Sequence, residues 1–281
     1  LGVLNVQQRK FKEAEEVFAR LHRANPADLR GLLGLADALA LQNQYDKGIE
    51  LLKAELLKQP QRLDLVIAIA HLQVRSSRYE EAIANYKKVL EKNPRSTDLH
   101  LQIGETYRLM GNAASATPFF RKAMELSPND PRPYVPLGML QDSLGQRAEA
   151  KAAYQQALKL QPDQPIALNN LAYLMAESGD DLDQALTLAQ RARQILPQDP
   201  NVADTLGWIY IKKNLSDNAI EIFRDLVGKL PRNSTYRYHL GMALYQKGDK
   251  PSARKELQTA LQSKPAPDEA ARIRELLAKL G

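Results

Sequence analysis

Reactive side chains in this 281-residue chain are sparse and scattered. The four histidines, His22, His71, His100 and His239, include no pair at the i, i+4 spacing that puts two imidazoles on one helical face, and no H-E-x-x-H motif occurs. With no cysteine, disulfides, thiolate metal sites, iron–sulfur clusters and cysteine nucleophiles are all excluded. No glycine-rich phosphate loop of the G-x-x-x-x-G-K-[ST] or G-x-G-x-x-G type is present, and no G-x-S-x-G elbow. The carboxylates lie among lysines and arginines, as on a solvated, ion-paired surface. Asn214-Leu215-Ser216 and Asn233-Ser234-Thr235 match a glycosylation sequon, a pattern short enough to arise by chance. The expectation is a protein with no catalytic set, no metal site and no cofactor, and not an enzyme.

Composition agrees. The chain is 44% hydrophobic and 26% charged, too apolar for disorder and too charged for a membrane protein. No apolar run approaches the roughly 20 residues of a bilayer span. Residues 1–130 carry 19 basic and 16 acidic side chains, and residues 131–281 carry 20 and 17, so the net +6 divides evenly. A nucleic-acid binder concentrates its basic residues in a stripe; this distribution argues against a nucleic-acid partner.

The elements that must position any site are set by a period. Prolines follow helix-like runs at Pro26, Pro60, Pro94, Pro128, Pro162, Pro197, Pro231 and Pro265, at spacings of 34, 34, 34, 34, 35, 34 and 34. Twenty-four residues before each stands a small side chain: Gly2, Ala36, Ala70, Gly104, Gly138, Gly207 and Gly241, with Ala172 the equivalent in the longer unit. Twelve residues before each stands another: Ala14, Gly48, Ala82, Ala116, Ala150, Ala185, Ala219 and Ala253. Eight residues before seven of the prolines stands a large one: Phe18, Leu52, Tyr86, Phe120, Tyr154, Phe223 and Leu257. Two helices approach closely only where a side chain is nearly absent, and a bulky neighbour fills the space left. Proline ends each second helix. Asn43, Gly111, Gly145, Gly179, Asn214 and Gly248 end the first helices, being residue types that tolerate the left-handed conformation. Each unit reads as a hairpin of two amphipathic helices. Pro118 and Pro136 are expected in the first turn or so of their helices, where the N–H groups have no intrahelical partner.

These columns resemble the tetratricopeptide repeat (TPR), a 34-residue helix–turn–helix unit, over essentially the whole chain. The family's usual aromatic at the fourth position is mostly replaced, by Leu32, Val66, His100, Leu168, Ala203 and Arg237, with Tyr134 keeping it. Asn169-Asn170-Leu171-Ala172 and Asp204-Thr205-Leu206-Gly207-Trp208 are similar to stretches of bacterial envelope and secretion-associated members. The resemblance implies an all-α, right-handed superhelical solenoid of TPR helical hairpins with a C-terminal capping helix. The array is expected over 1–267, as a partial first unit 1–28 and seven units at 29–62, 63–96, 97–130, 131–164, 165–199, 200–233 and 234–267. Residues 268–281 are expected to form the capping helix, with Asp268 as N-cap, Gly281 past its end, and Ile273, Leu276, Leu277 and Leu280 covering the last hairpin. The frame places the start of the first unit six residues before Leu1, so further sequence upstream is expected. The extra residue in Gly179-Asp180-Asp181-Leu182, with Ala189 at a position otherwise large, reads as a slack inter-helix loop, or as a local change of pitch that opens the groove.

The resemblance also implies that positions 2, 5, 9, 12 and 13 of each unit face a concave groove. The early units place mixed charge there: Arg30, Asp37, Asp64, His71, Arg75, Asp98, Glu105 and Arg108. The late units place aromatic and amide groups there: Asn169 (with its neighbour Asn170), Tyr173, Asn201, Asp204, Trp208, Ile211, Tyr238, Met242 and Tyr245. Aromatics supply large area with few rotamers to freeze, and amides bond a peptide backbone. No three consecutive units carry the Lys, Asn and Arg set with which chaperone adaptors hold a C-terminal carboxylate. The expected function is a non-enzymatic scaffold that binds a peptide or helix of another protein in the groove, in a bacterial cytoplasm, periplasm or envelope. The alternative is a regulatory or substrate-recruiting arm of an enzyme whose catalytic domain precedes residue 1. Self-association through the N-terminal hairpin is a third reading.

Overall fold

The computed structural model describes residues 1–281 as seventeen helices without a strand. They fall into two compact units, Leu1–Leu140 and Gln141–Gly281. The first holds α1 (Gly2–Gln7), α2 (Phe11–Ala24), α3 (Leu29–Leu41), α4 (Tyr45–Lys58), α5 (Leu63–Arg75), α6 (Tyr79–Leu90), α7 (Thr97–Leu109), α8 (Ala113–Leu126) and most of α9 (Tyr134–Ser143). The second holds the end of α9, then α10 (Arg147–Leu160), α11 (Pro165–Ser178), α12 (Leu182–Ile195), α13 (Pro200–Lys212), α14 (Ser216–Lys229), α15 (Ser234–Lys247), α16 (Lys250–Gln262) and α17 (Pro267–Lys279). Helices α1 to α8 pack successively, as do α10 to α17. First helices of neighbouring hairpins also touch: α3 with α5 in one unit, α11 with α13 and α13 with α15 in the other.

The small and large columns meet inside the hairpins α7–α8, α13–α14 and α15–α16. A methyl group built on Gly104 would lie 2.9 Å from the Phe120 ring, on Gly207 2.6 Å from Phe223, and on Gly241 2.7 Å from Leu257. Phe120, Phe223 and Leu257 are themselves buried. The absent side chain is therefore the socket for the bulky side chain eight residues before the proline.

Two helical glycines outside this column make opposite predictions. A methyl on Gly31 would stand 2.5 Å from the backbone nitrogen of His22, whereas Gly228 has nothing within 4 Å. Gly31→Ala is expected to destabilise by about 1–3 kcal/mol, because backbone cannot yield as a side-chain tip can. Gly228→Ala is expected to stabilise by about 0.5–1 kcal/mol through lost freedom of the unfolded chain. Urea unfolding of the two variants checks both signs.

The hairpin turns follow the sequence expectation. Asn43, Gly111, Gly145, Gly179, Asn214 and Gly248 all have φ between 57° and 88°. Arg9 (59°) and Ser77 (60°) adopt the same conformation in the two units that have neither Gly nor Asn there. Pro136 is the third residue of α9, within its first turn, but Pro118 is the sixth of α8, beyond the four unpaired N–H groups. Pro118 lies on the exposed side, where water can take the carbonyl that its ring leaves without a donor. At the other end, α17 starts at Pro267 after Ala266, which puts Asp268 in the first turn rather than at the cap. Its Ile273 and Leu280 are buried with Leu257 and Ala260, and Leu276 and Leu277 pack partly buried beside them.

Helix α3 is capped by Asp28, whose Oδ1 accepts from the Arg30 backbone N–H at 3.0 Å, while the Arg30 guanidinium bonds the same carboxylate. That guanidinium first, then the backbone bond, holds the Asp28 carboxyl at about 2. A depressed carboxyl contributes stability above its unfolded pKa and loses it as pH falls through the folded one. The Asp28 cap is therefore expected to weaken only between about pH 4 and pH 2. A carbon-13 NMR titration of the Asp28 carboxyl, with its midpoint near 2, checks it.

Candidate functional site

Helices α11, α13 and α15 carry the sequence-predicted set, and the structure divides it. On α11 the Asn169 amide donates to Asn170 Oδ1 at 3.1 Å, and the Asn170 amide donates to the Tyr154 hydroxyl of α10 at 3.1 Å. Asn169 Oδ1 is buried and has no partner. Burial, only partly offset by the Asn170 bond, pushes the Tyr154 phenol up to about 12. Tyr173 is 40% exposed, and every other Phe, Tyr and Trp side chain is more covered.

On α13, Trp208 is half-buried and held on several sides. Its indole N–H donates to Glu177 Oε1 of α11 at 2.9 Å. Lys212 Nζ sits 4.7 Å from the ring centroid and 3.7 Å from the same Glu177 oxygen. The His239 ring of α15 lies 4.9 Å away at 34°. His239 Nδ1–H in turn donates to Asp204 Oδ1 at 2.8 Å, and its ring also meets Phe223 (5.2 Å) and Tyr238 (5.6 Å). The spacing explains the assembly. Trp208 donates to a residue 31 positions before it and meets the ring of one 31 positions after it, each near one repeat away, so neighbouring first helices meet along a diagonal.

Ile211 and Tyr238 depart from the expectation of groove-facing side chains. Ile211 is 2% exposed in the second unit's core, where α15 covers it: Gln246 Nε2 donates to the Ile211 carbonyl at 3.2 Å. Tyr238 is 9% exposed. Burial raises its phenol, with Glu275 and Glu269 on α17 adding to the rise and Arg272 and Lys279 opposing it. Both positions abut the next helix of the row, so they pack rather than present. Met242 and Tyr245 are partly buried against the same core. Tyr173, Asp204 and Trp208 thus remain accessible in part, joined by Glu177, Lys212 and His239, which reading the positions one at a time had not assembled. The near-one-repeat offsets Glu177 to Trp208 and Asp204 to His239 were the available signal.

The early positions behave differently. In the first unit a cavity of about 620 Å³ is lined by Asp37, His71, Arg75, Gln102, Glu105 and Arg132, among others. Its polar groups are mostly bonded: Arg75 to Asp37 (3.3 Å), His71 to Gln102 (2.7 Å), and Glu105 to Arg108 outside the cavity (2.6 Å). Arg132 is held by Asp98 and Asp130.

The hairpins, their nested small and large columns and the aromatic row on the first helices define a helical-repeat scaffold. No helix is long and apolar enough to cross a membrane. Tetratricopeptide repeat models match residues 73–135, 136–200 and 205–271, and the chain belongs to that family. Residues 7–89 match the model for subunit 3 of the anaphase-promoting complex, cyclosome. The sequence has no significant match among curated proteins. Among solved structures, the chain is similar to one in the APC/C hetero-tetramer Cut9-Hcn1, at 18% identity and TM-score 0.70, over 96% of this chain and 52% of that one. It thus spans about half the length of that protein. It is also similar to a tetratricopeptide repeat protein from Parabacteroides merdae (17% identity, TM-score 0.61, 89% of this chain and 96% of that one). A third likeness is to YrrB, described as a TPR protein with an unusual peptide-binding site (19% identity, TM-score 0.57, 68% and 97%). At these identities the likeness is one of fold.

Proposed function

We propose that the chain is a non-enzymatic scaffold whose second unit binds an extended segment of a partner protein along the first helices α11, α13 and α15. Residues 1–267 serve as the repeat array and 268–281 as the helix that covers its last hairpin. The observation that carries this reading is Tyr173: a large ring left 40% exposed beside half-buried Trp208, on a row otherwise packed or bonded within the chain. Around it stand the carboxylates of Glu177, Asp142 and Asp204. A peptide main chain offers N–H donors to the part-exposed oxygens of these carboxylates, and a ring of this kind binds at small entropic cost.

The test is display selection of random nonapeptides against the intact chain, followed by fluorescence polarisation of the selected sequences. Tyr173→Ala is expected to weaken their binding at least about fivefold while the helical circular dichroism stays unchanged. Selected peptides that bind this variant as tightly as the wild type would overturn the assignment.

A further inference from the structure

Three partly exposed rings carry a cation over one face, and Tyr173, the most exposed of the tyrosines, carries none. Lys212 stands over Trp208 at 4.7 Å, Lys87 over Tyr107 at 5.5 Å, and Arg75 over Tyr45 at 5.9 Å. Trp208 and Tyr173 occupy the same position of consecutive units, so their surroundings can be compared residue by residue. Four residues after Trp208 comes Lys212, which caps the indole and pairs with Glu177. Four residues after Tyr173 comes Glu177, a carboxylate. The place that holds an ammonium over Trp208 therefore holds none over Tyr173.

From this comparison we infer that Tyr173 receives a basic side chain, arginine or lysine, from the bound peptide. The inference rests on the groove reading above and adds the chemistry of the occupant. Charge around the ring supports it. Burial is the main cause of the raised Tyr173 phenol, and among the charges Glu177, Asp142 and Asp204 add to the rise while Arg147 opposes it. Asp204 and Glu177 are oriented by His239 and Trp208, so they are fixed acceptors rather than mobile ones. The ring's negative face and the carboxylates beside it attract the same ligand group: a planar guanidinium can stack on the ring while its N–H groups reach the acceptors. The global charge works the other way. A chain of net +6 attracts acidic peptides nonspecifically, so selection of a basic one reports the local site.

A positional-scanning library of acetylated nonapeptides, built on a display-selected sequence, tests it. At one peptide position the wild type is expected to prefer Arg or Lys over Ala by about five- to tenfold, and over Glu by more. Tyr173→Leu keeps apolar bulk but removes the ring; it is expected to reduce that Arg-to-Ala preference about three- to fivefold. Asp142→Asn is expected to reduce it less, and 0.5 M salt to reduce it in the wild type. A preference for acidic residues, no charge preference at any position, or a basic preference that survives Tyr173→Leu would overturn the inference and leave the groove reading standing. If no peptide is retained by the wild type, the groove reading fails, and this inference with it.

Discussion

Phe223→Ala is expected to cost about 3–5 kcal/mol, read as a lower urea midpoint. The ring is fully buried in α14 and fills the socket opposite Gly207. Its removal forfeits both the transfer free energy and the contacts lining the cavity left behind, since packed helices collapse only partly. The nesting account makes a sharper demand through Gly207. Alone, Gly207→Ala drives a methyl to within 2.6 Å of the Phe223 ring and destabilises. With Phe223→Ala already present, that clash is gone and the methyl begins to fill the void. The double variant is expected to be more stable than the sum of the singles by about 1–3 kcal/mol. Additive costs would mean that the two columns do not meet as described. The variant also reaches the candidate site, because the Phe223 ring lies 5.2 Å from His239, which backs Trp208.

The second large effect concerns Trp208. Trp208→Ala is expected to weaken binding of a display-selected peptide by about 2 kcal/mol, roughly thirtyfold, with the circular dichroism spectrum retained. Truncation removes the ring, leaves Glu177 without the indole donor and frees Lys212 from its perch. Trp208→Phe keeps the stack with His239 and loses only the N–H bond, so a loss of about 1 kcal/mol or less is expected. The order of the two variants separates ring contact from hydrogen bonding. If Trp208→Ala binds as tightly as the wild type, the indole is only packing between α11, α13 and α15.

Much of the fold is legible in the residues because each column has one physical cause. Proline after each second helix, a residue near absence at the crossing and a bulky partner sixteen positions on leave little alternative to a nested hairpin. Departures arise where that logic has slack. Arg9 and Ser77 enter the left-handed region without glycine or asparagine, because the turn's hydrogen bonds require the conformation whatever stands there. Pro118 sits deeper in α8 than expected, since the exposed side tolerates one missing backbone donor.

The candidate site is less legible for a different reason. Position within a repeat tells which face a residue takes on its own helix, but not how far the next helix covers it. Ile211 and Tyr238 share groove-facing positions with Asp204 and Trp208, yet α15 covers the first and α17 surrounds the second with charge. Conversely, His239 falls between groove positions, and only the packing of α13 on α15 brings it onto Asp204 and Trp208. Contacts between neighbouring repeats are what the one-dimensional frame omits.

Hydrogen exchange with and without a display-selected nonapeptide is the most direct measurement of where this protein binds. Binding along the second unit's first helices predicts slowed exchange in residues 165–178, 200–212 and 234–247, with the second helices at 182–195, 216–229 and 250–262 little changed. Protection confined to those second helices, or to the first unit, would contradict it.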